Sequence, residues 1–353
     1  MLDTPSPYIK QALKGFSAYI PGEQPAVDSN LIKLNTNENP FPPSPAVMET
    51  LKGFTEDKLR LYPDPLHTRL RQAAGNLLGV SPELVIGGNG SDEILAMILR
   101  AFLDPGDVVA YPCPTYSLYP TLALMLGGQI SEHPAGLGES KIEAVMDAPA
   151  KITFIASPNS PDGYLVRHED ILRLCQKRRG TGIVVADEAY VDFSEGGAIG
   201  LVEQVDNLII TRTLSKSFSL AGLRVGIGIA CPPLIQALWA VKDSYNLGSL
   251  PQALAAAALE DAETMQKNAR QINRIREATS QSLRQRGWRV YPSQANFIFT
   301  EPPARPAEEI YKHLVSRKIF VRYFPAAPLD RGLRISIGTE AQMQRLLEEI
   351  DRM

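Results

Sequence analysis

Thr211-Arg-Thr-Leu-Ser-Lys-Ser-Phe-Ser-Leu-Ala-Gly-Leu-Arg224, entered from the apolar run Asn207-Leu-Ile-Ile210, is the stretch on which the reading of this chain turns. The run has the character of a buried strand. It delivers Lys216 at its exit between small hydroxyl residues, with Arg224 eight positions further on, past an Ala-Gly pair. A lysine withdrawn from water near a second cation has a lowered pKa, so its neutral amine can attack an aldehyde and hold it as a Schiff base. Thr213, Ser215 and Arg224 offer hydroxyls and one guanidinium fork to a phosphate beside it. A surface lysine on a Ser-rich turn has the same local pattern, so the remainder of the chain has to decide between the two.

Outward from this stretch the chain repeats strand, loop and helix. Apolar runs at 84–86, 108–110, 152–155, 183–186, 208–210 and 225–229 are bounded by Gly, Pro, Asn or Asp, and helical stretches at 93–102, 116–126 and 169–178 separate most of them. The alternation predicts a mainly parallel sheet covered by helices on both faces. After about residue 247 the texture becomes a long helical region, 251–286, with a break near Asp261. Shorter strands follow at 288–290, 296–299, 319–321 and 333–336, and an amphipathic helix at 340–352 closes the chain. The fold class is α/β, with a large domain at 46–247 and a smaller α+β domain at 248–353. An arm at 1–45 packs on the smaller domain; it carries a short helix at 8–14 and a strand at 31–34 that runs into Asn35-Thr-Asn-Glu-Asn-Pro40.

Ligands of open α/β sheets bind outside the carboxyl ends of the strands, so the residues just past each run carry the chemistry. After the run at 84–86 comes Gly87-Gly-Asn-Gly-Ser-Asp-Glu93, where the N–H groups of Ser91 and Asp92 at a helix N-terminus suit a phosphate; an ordinary glycine turn with an Asp cap reads the same way. After 108–110 comes Tyr111-Pro-Cys-Pro-Thr-Tyr116, in which Tyr116 either stacks on a planar heterocycle or packs under the next helix. After 152–155, Ser157-Pro-Asn-Ser-Pro-Asp-Gly163 sets Asn159 on a rigid turn, where its amide can donate to a phenolate oxygen or simply form the turn. The run at 183–186 ends in Asp187-Glu-Ala-Tyr190. A carboxylate at the end of a buried strand is costly unless it meets a cation or donors. Asp187 meets one if it faces a protonated pyridine nitrogen, with Tyr190 then reaching the ring oxygen; capping the following helix is the alternative. Taken together, one amine, one buried carboxylate, two donors to an oxygen, a stacking ring and a phosphate cradle are what pyridoxal 5'-phosphate requires.

Bulk properties exclude other classes. Of 353 residues, 44% are hydrophobic and 21% charged, and the net charge of −3 is spread along the chain. There is no basic stripe for nucleic acid and no apolar window long enough for a membrane span. Met1-Leu-Asp-Thr-Pro-Ser-Pro lacks the basic and apolar regions of a signal peptide. Cys113, Cys175 and Cys231 are odd in number and far apart, as expected of reduced thiols in the cytoplasm, and the four histidines have no metal-ligand spacing.

The chain resembles the fold type I pyridoxal-phosphate aminotransferases, and among them the histidinol-phosphate aminotransferase branch. Lys33-Leu-Asn-Thr-Asn-Glu-Asn-Pro40, Arg60-Leu-Tyr-Pro63, Gly88-Asn-Gly-Ser-Asp-Glu93, Pro114-Thr-Tyr116, Ser157-Pro-Asn159, Asp187-Glu-Ala-Tyr190, Thr213-Leu-Ser-Lys216, Ala221-Gly-Leu-Arg224 and Leu333-Arg-Ile-Ser-Ile-Gly338 occur in the order of that family. The resemblance implies a seven-stranded sheet, with Lys216 attached to the cofactor, Asp187 on its pyridine nitrogen, Asn159 and Tyr190 on its ring oxygen and Tyr116 against the ring. It implies that Ser91, Asp92, Thr213, Ser215 and Arg224 hold the phosphate, joined by Tyr62 from the other subunit of a homodimer. Arg322 and Arg334 lie where the family binds the anionic group of the substrate; Asn37 and Tyr19 of the arm complete the substrate side.

Two departures stand out. The family's usual Ser-Pro-Asn-Asn-Pro-Thr-Gly loop has Ser160 and Asp162 here, and Ala18-Tyr19 replaces a common Pro-Tyr. The expected reaction is amino transfer from histidinol phosphate to 2-oxoglutarate. An aromatic amino-acid aminotransferase is the runner-up, ahead of a threonine-phosphate decarboxylase and of a non-catalytic, cofactor-sensing domain.

Overall fold

The computed structural model of the chain describes Tyr8, Gln24, Pro25 and residues 31–353. Apart from Tyr8, the expected helix at 8–14 lies outside the described residues, as does Tyr19. Twelve strands form two sheets among the described residues: β1 (Ile32–Leu34), β2 (Val85–Asn89), β3 (Val108–Cys113), β4 (Gln129–Pro134), β5 (Ile152–Ala156), β6 (Ile183–Asp187), β7 (Leu208–Thr213), β8 (Val225–Ala230), β9 (Arg289–Val290), β10 (Phe297–Glu301), β11 (Ile319–Tyr323) and β12 (Leu333–Ser336).

The larger sheet has seven strands in the order β2-β8-β7-β6-β5-β3-β4. All neighbours are parallel except β8, which runs antiparallel to both β2 and β7. Two reversals cancel, so β2 points the same way as β3 to β7 and its carboxyl end opens on the same edge. The start of β8 opens there as well, which brings Arg224 to that edge.

Both faces of this sheet are buried, which explains why its strands read as continuous apolar runs rather than as alternating ones. Val185, Ile209 and Phe154 pack into one core with the helix Ser91–Phe102, while Val184, Ala186 and Ile210 pack into the other. Gly226 and Gly228 on β8 let that helix approach the sheet. A Cβ on Gly226 would stand 2.3 Å from the nitrogen of Ser91, and one on Gly228 would stand 2.9 Å from Ile94.

The second sheet, β1-β11-β12-β10-β9, is antiparallel except for β1, which pairs in parallel with β11. Asp261 separates the helices Ser249–Glu260 and Ala262–Gln285, as the sequence leads one to expect.

Three sequence expectations need correction. β4 has no counterpart among the apolar runs: Gln-Ile-Ser-Glu-His-Pro lacks one because an edge strand with exposed side chains needs none. Arg322 lies inside β11 and not just past its end, since pairing with β12 extends the strand to Tyr323. The helix expected from residue 116 starts at Leu118, which leaves Tyr116 on the preceding loop, because the chain first bends at Pro114 and Thr115.

Candidate active site

Asp187 ends β6 and pairs in register with Thr211 on β7 and Ala156 on β5. It is 5% exposed. Its Oδ2 accepts a hydrogen bond from the hydroxyl of Tyr119 at 2.7 Å, and its Oδ1 accepts one from Thr211 at 3.1 Å. Burial pushes the carboxyl up to about 6, against the pull of those two donors. A carboxylate so desolvated is stabilised by any cation that comes within a few ångströms of it. Burial and the neighbouring Asp187 push the phenol of Tyr119 well above its ordinary value, so it stays a donor.

Lys216 lies in the turn between β7 and β8. Its Nζ donates to the carbonyl of Thr36 at 3.0 Å and stands 5.8 Å from the centre of the Tyr190 ring. Burial first, then the guanidinium of Arg334, lowers the ammonium from its usual value to about 8, with Arg224 acting in the same direction and Glu38 and Asp92 opposing. Near neutral pH a usable fraction of the amine is therefore unprotonated, as the second-cation argument from sequence requires.

Beside the lysine a phosphate cradle is assembled. Gly90, with φ of 79°, precedes the helix Ser91–Phe102, whose first N–H groups have no intrahelical acceptors. A Cβ on Gly90 would come within 2.5 Å of Arg224, so only glycine allows the guanidinium this close. Arg224 bonds Ser215 at 3.3 Å and Asp92 at 3.2 Å, and Thr213 and Ser215 bond each other at 3.0 Å. The hydroxyl of Tyr116 donates to Asp92 at 3.1 Å.

The far wall comes from β1, β11 and β12. Asn37, in the left-handed region at φ of 57°, donates from Nδ2 to the Tyr190 hydroxyl at 3.0 Å. Ser336 and Asn296 hold Asn37 in place through its own polar groups. Arg322 and Arg334 stand opposite each other in the β11–β12 register. Arg334 donates to Ser160 Oγ at 3.0 Å and to the Asn35 carbonyl at 2.9 Å, and both guanidiniums lie over Phe324, at 5.3 and 5.7 Å.

These groups surround one cavity of about 360 Å³, lined by Ser91, Asp92, Tyr116, Asp187, Tyr190, Thr213, Ser215, Lys216, Arg224, Asn37, Arg322 and Arg334. Twelve of the residues singled out from sequence thus meet on one wall or another of it. Two do not. Asn159 is wholly buried below the cavity; its Nδ2 donates to Pro114 O at 3.1 Å and Asp162 at 2.8 Å, and its Oδ1 accepts from Thr115 at 2.7 Å. Tyr62 is 82% exposed, stacked on Tyr245 at 4.5 Å and away from the cavity.

Sequence reasoning missed Tyr119 and Thr211, the two donors to Asp187. Their signal was present: Tyr119 lies three positions past Tyr116, and Thr211 opens the lysine stretch. The donor set fits pyridoxal phosphate: helix N–H groups, hydroxyls and Arg224 suit its phosphate, Lys216 its aldehyde carbon, and the buried Asp187 a cationic ring nitrogen.

The family profile described as "Aminotransferase class I and II" matches residues 29–350. The chain is 42% identical over 346 residues to histidinol-phosphate aminotransferase 1 of Trichormus variabilis, covering 97% of this chain and 98% of that one. It is 43% identical over 346 residues to the protein of the same name from Nostoc sp., covering 97% of each. Among solved structures it resembles histidinol-phosphate aminotransferase from Sinorhizobium meliloti in complex with pyridoxal-5'-phosphate, with a TM-score of 0.87, 25% identity and 99% of both chains covered.

Proposed function

We propose, for a chain that belongs to the class I and II aminotransferases, that the reaction is transfer of the amino group of histidinol phosphate to 2-oxoglutarate in the biosynthesis of histidine. The enzyme is a pyridoxal-phosphate-dependent transaminase. The observation that carries the choice of donor is the pair Arg322 and Arg334. They face each other across β11 and β12 and line the cavity that also holds Lys216. Two guanidiniums suit a phosphate dianion better than a single carboxylate, because each can supply a two-pronged donor.

When bound, pyridoxal phosphate supplies a cationic ring that draws in the electrons of the broken C–H bond. The chain does the rest. Asp187, held by Tyr119 and Thr211, keeps a proton on the ring nitrogen. Ser91, Asp92, Thr213, Ser215 and Arg224 anchor the cofactor phosphate, and Tyr116 and Tyr190 set the ring. Lys216 would be the base that takes the proton from the substrate carbon and delivers it to the carbon that carried the cofactor's aldehyde, two bonds away, because burial and the nearby Arg334 lower its amine to about 8.

Replacing either Arg322 or Arg334 by alanine is expected to lower kcat/KM for histidinol phosphate about tenfold or more, the cost of one charge-assisted bond, with cofactor affinity hardly changed. Assays with histidinol phosphate, phenylalanine and threonine phosphate, each with 2-oxoglutarate, test the proposal. Full kcat/KM for histidinol phosphate in both variants, or preference for phenylalanine in the parent, would transfer the assignment to an aromatic aminotransferase.

The proposal includes a cytoplasmic homodimer, with the large domain at 46–247 and the small at 248–353. No helix among the described residues is long and apolar enough to cross a membrane. Tyr62 and Tyr245 stack on the surface amid exposed Leu59, Leu61 and Leu66, an apolar patch suited to burial by a second copy. Tyr62 would then reach the cofactor phosphate of its neighbour. Mixing Lys216→Ala with Tyr62→Phe subunits is expected to give hybrids with one intact site and regained activity; a fully active monomer in sedimentation would refute the shared site.

A further inference from the structure

Past the end of β1 the chain runs through Asn35, Thr36 and Asn37 along the cavity wall and on to Glu38, Asn39 and Pro40. This short stretch is held firmly. Asn37 sits in the left-handed region and is bonded to Ser336 and Asn296, while the Glu38 carboxylate accepts from Lys33 at 2.7 Å and from the Thr36 hydroxyl at 2.9 Å. Pro40 fixes its own φ. Asn39 is thereby delivered to one place, beside the turn that carries Lys216.

There its Nδ2 donates to the carbonyl of Lys216 at 3.1 Å and to that of Ser217 at 3.0 Å, and its Oδ1 accepts from the N–H of Phe41 at 3.0 Å. Carbonyls only accept and the N–H only donates, so the amide has a single satisfied orientation. Residues 214–219 form a turn between β7 and β8, outside any ladder or helix, so their carbonyls need partners from elsewhere. Ser217 is 2% exposed, and a carbonyl stripped of its donor in such a position is costly. Within the turn the Lys216 carbonyl receives a long bond, 3.4 Å, from the N–H of Ser219. The Ser217 side chain is tied down separately, by donating its hydroxyl to Asp192. By contrast, the Lys216 side chain bonds the Thr36 carbonyl through Nζ, and both residues line the cavity, so the amine can turn within it while its main chain stays fixed.

We propose that Asn39 is a positioning residue for Lys216, fixing the main chain from which the amine reaches the cofactor's aldehyde and the substrate carbon. The inference rests on the reading of Lys216 as that amine. A lysine side chain is long and flexible, so the placing of its amine begins with the placing of its main chain. A displacement of about 1 Å at a reacting group can cost about a hundredfold in rate.

Three variants of the full-length enzyme test this: Asn39→Ala, Asn39→Asp and Lys216→Ala. The measurements are the stopped-flow rate at which the cofactor-free protein takes up pyridoxal phosphate covalently, the dissociation constant of pyridoxamine phosphate from fluorescence, and the melting temperature without cofactor. Pyridoxamine phosphate has no aldehyde, so its affinity reports the phosphate cradle and Asp187 without the lysine. Asn39→Ala is expected to slow covalent uptake about tenfold or more and to bind pyridoxamine phosphate within about twofold of the parent. Asn39→Asp keeps the shape and the acceptor for Phe41 but turns an anionic oxygen toward two carbonyls. It is expected to behave in the same way, and it serves as the test should the alanine variant fail to fold. Uptake at the parent rate in Asn39→Ala, whatever its melting temperature, makes the residue structural and overturns the inference alone; so does a loss of pyridoxamine phosphate affinity in step with the loss of uptake. If Lys216→Ala still takes up cofactor covalently, the reading of Lys216 falls and the inference falls with it.

Discussion

Lys216→Ala is expected to lower transamination by about three orders of magnitude or more while the protein still binds pyridoxal phosphate non-covalently. The size of the loss follows from the two tasks of one amine. On the proposed reading it attaches the cofactor and moves the proton between two carbons. Among the polar groups lining the cavity, Tyr190 and Tyr116 are phenols and Asp187 is committed to Tyr119 and Thr211, so none replaces a base of pKa about 8. The fold should tolerate the change. The variant gives up the bond from Lys216 Nζ to Thr36, and it relieves a desolvated cation near Arg334 and Arg224. In the parent protein the rate of covalent cofactor uptake should rise with pH and level off above about 8, because only the neutral amine reacts. Stopped-flow absorbance measures this, and a rate that is flat from about pH 6 to about pH 10, two units on either side of that value, would show that the amine is not the titrating group.

Asp187→Ala is expected to cost about two to three orders of magnitude in kcat, the usual loss when a preorganised electrostatic partner is removed, and to leave a folded protein. Two opposed terms keep the stability cost small. The variant leaves the hydroxyls of Tyr119 and Thr211 without their acceptor, but it also removes a carboxyl that burial holds at about 6. Asp187→Asn separates charge from shape: it keeps an acceptor for one of the two hydroxyls and cannot become an anion. Both variants should therefore fall together in kcat, with far-UV circular dichroism like that of the parent. Near-normal turnover in either would reduce Asp187 to a cap at the end of β6.

Much of the site was legible in the sequence because strand-exit positions are set by topology. Lys216, Asp187, Thr213 and Ser91 each follow an apolar run, and a mainly parallel sheet sends the ends of those runs to one edge. Arg224 is a different case. It precedes its strand, and it reaches the same edge only because β8 runs backwards, a direction that apolar periodicity does not encode.

What stayed hidden depends on pairing. Tyr119 and Thr211 matter through their hydrogen bonds to Asp187, which require knowing that β7 lies beside β6 and that the helix Leu118–Met125 brings Tyr119 to the end of β6. β4 escaped because its side chains are exposed on an edge and carry no hydrophobic pattern. Asn159 was identified by its turn, but the acceptors that claim its amide, Pro114 O and Asp162, come from the fold. Tyr62 carries its proposed role only in a dimer, so a single chain leaves it on the surface.

The most direct test of the account is to load the protein with pyridoxal phosphate, reduce it with borohydride and map the tagged peptide by mass spectrometry. The account predicts one modified residue per chain, Lys216, in the peptide that also contains Ser215 and Ser217. A tag on any other lysine, or none, would contradict it.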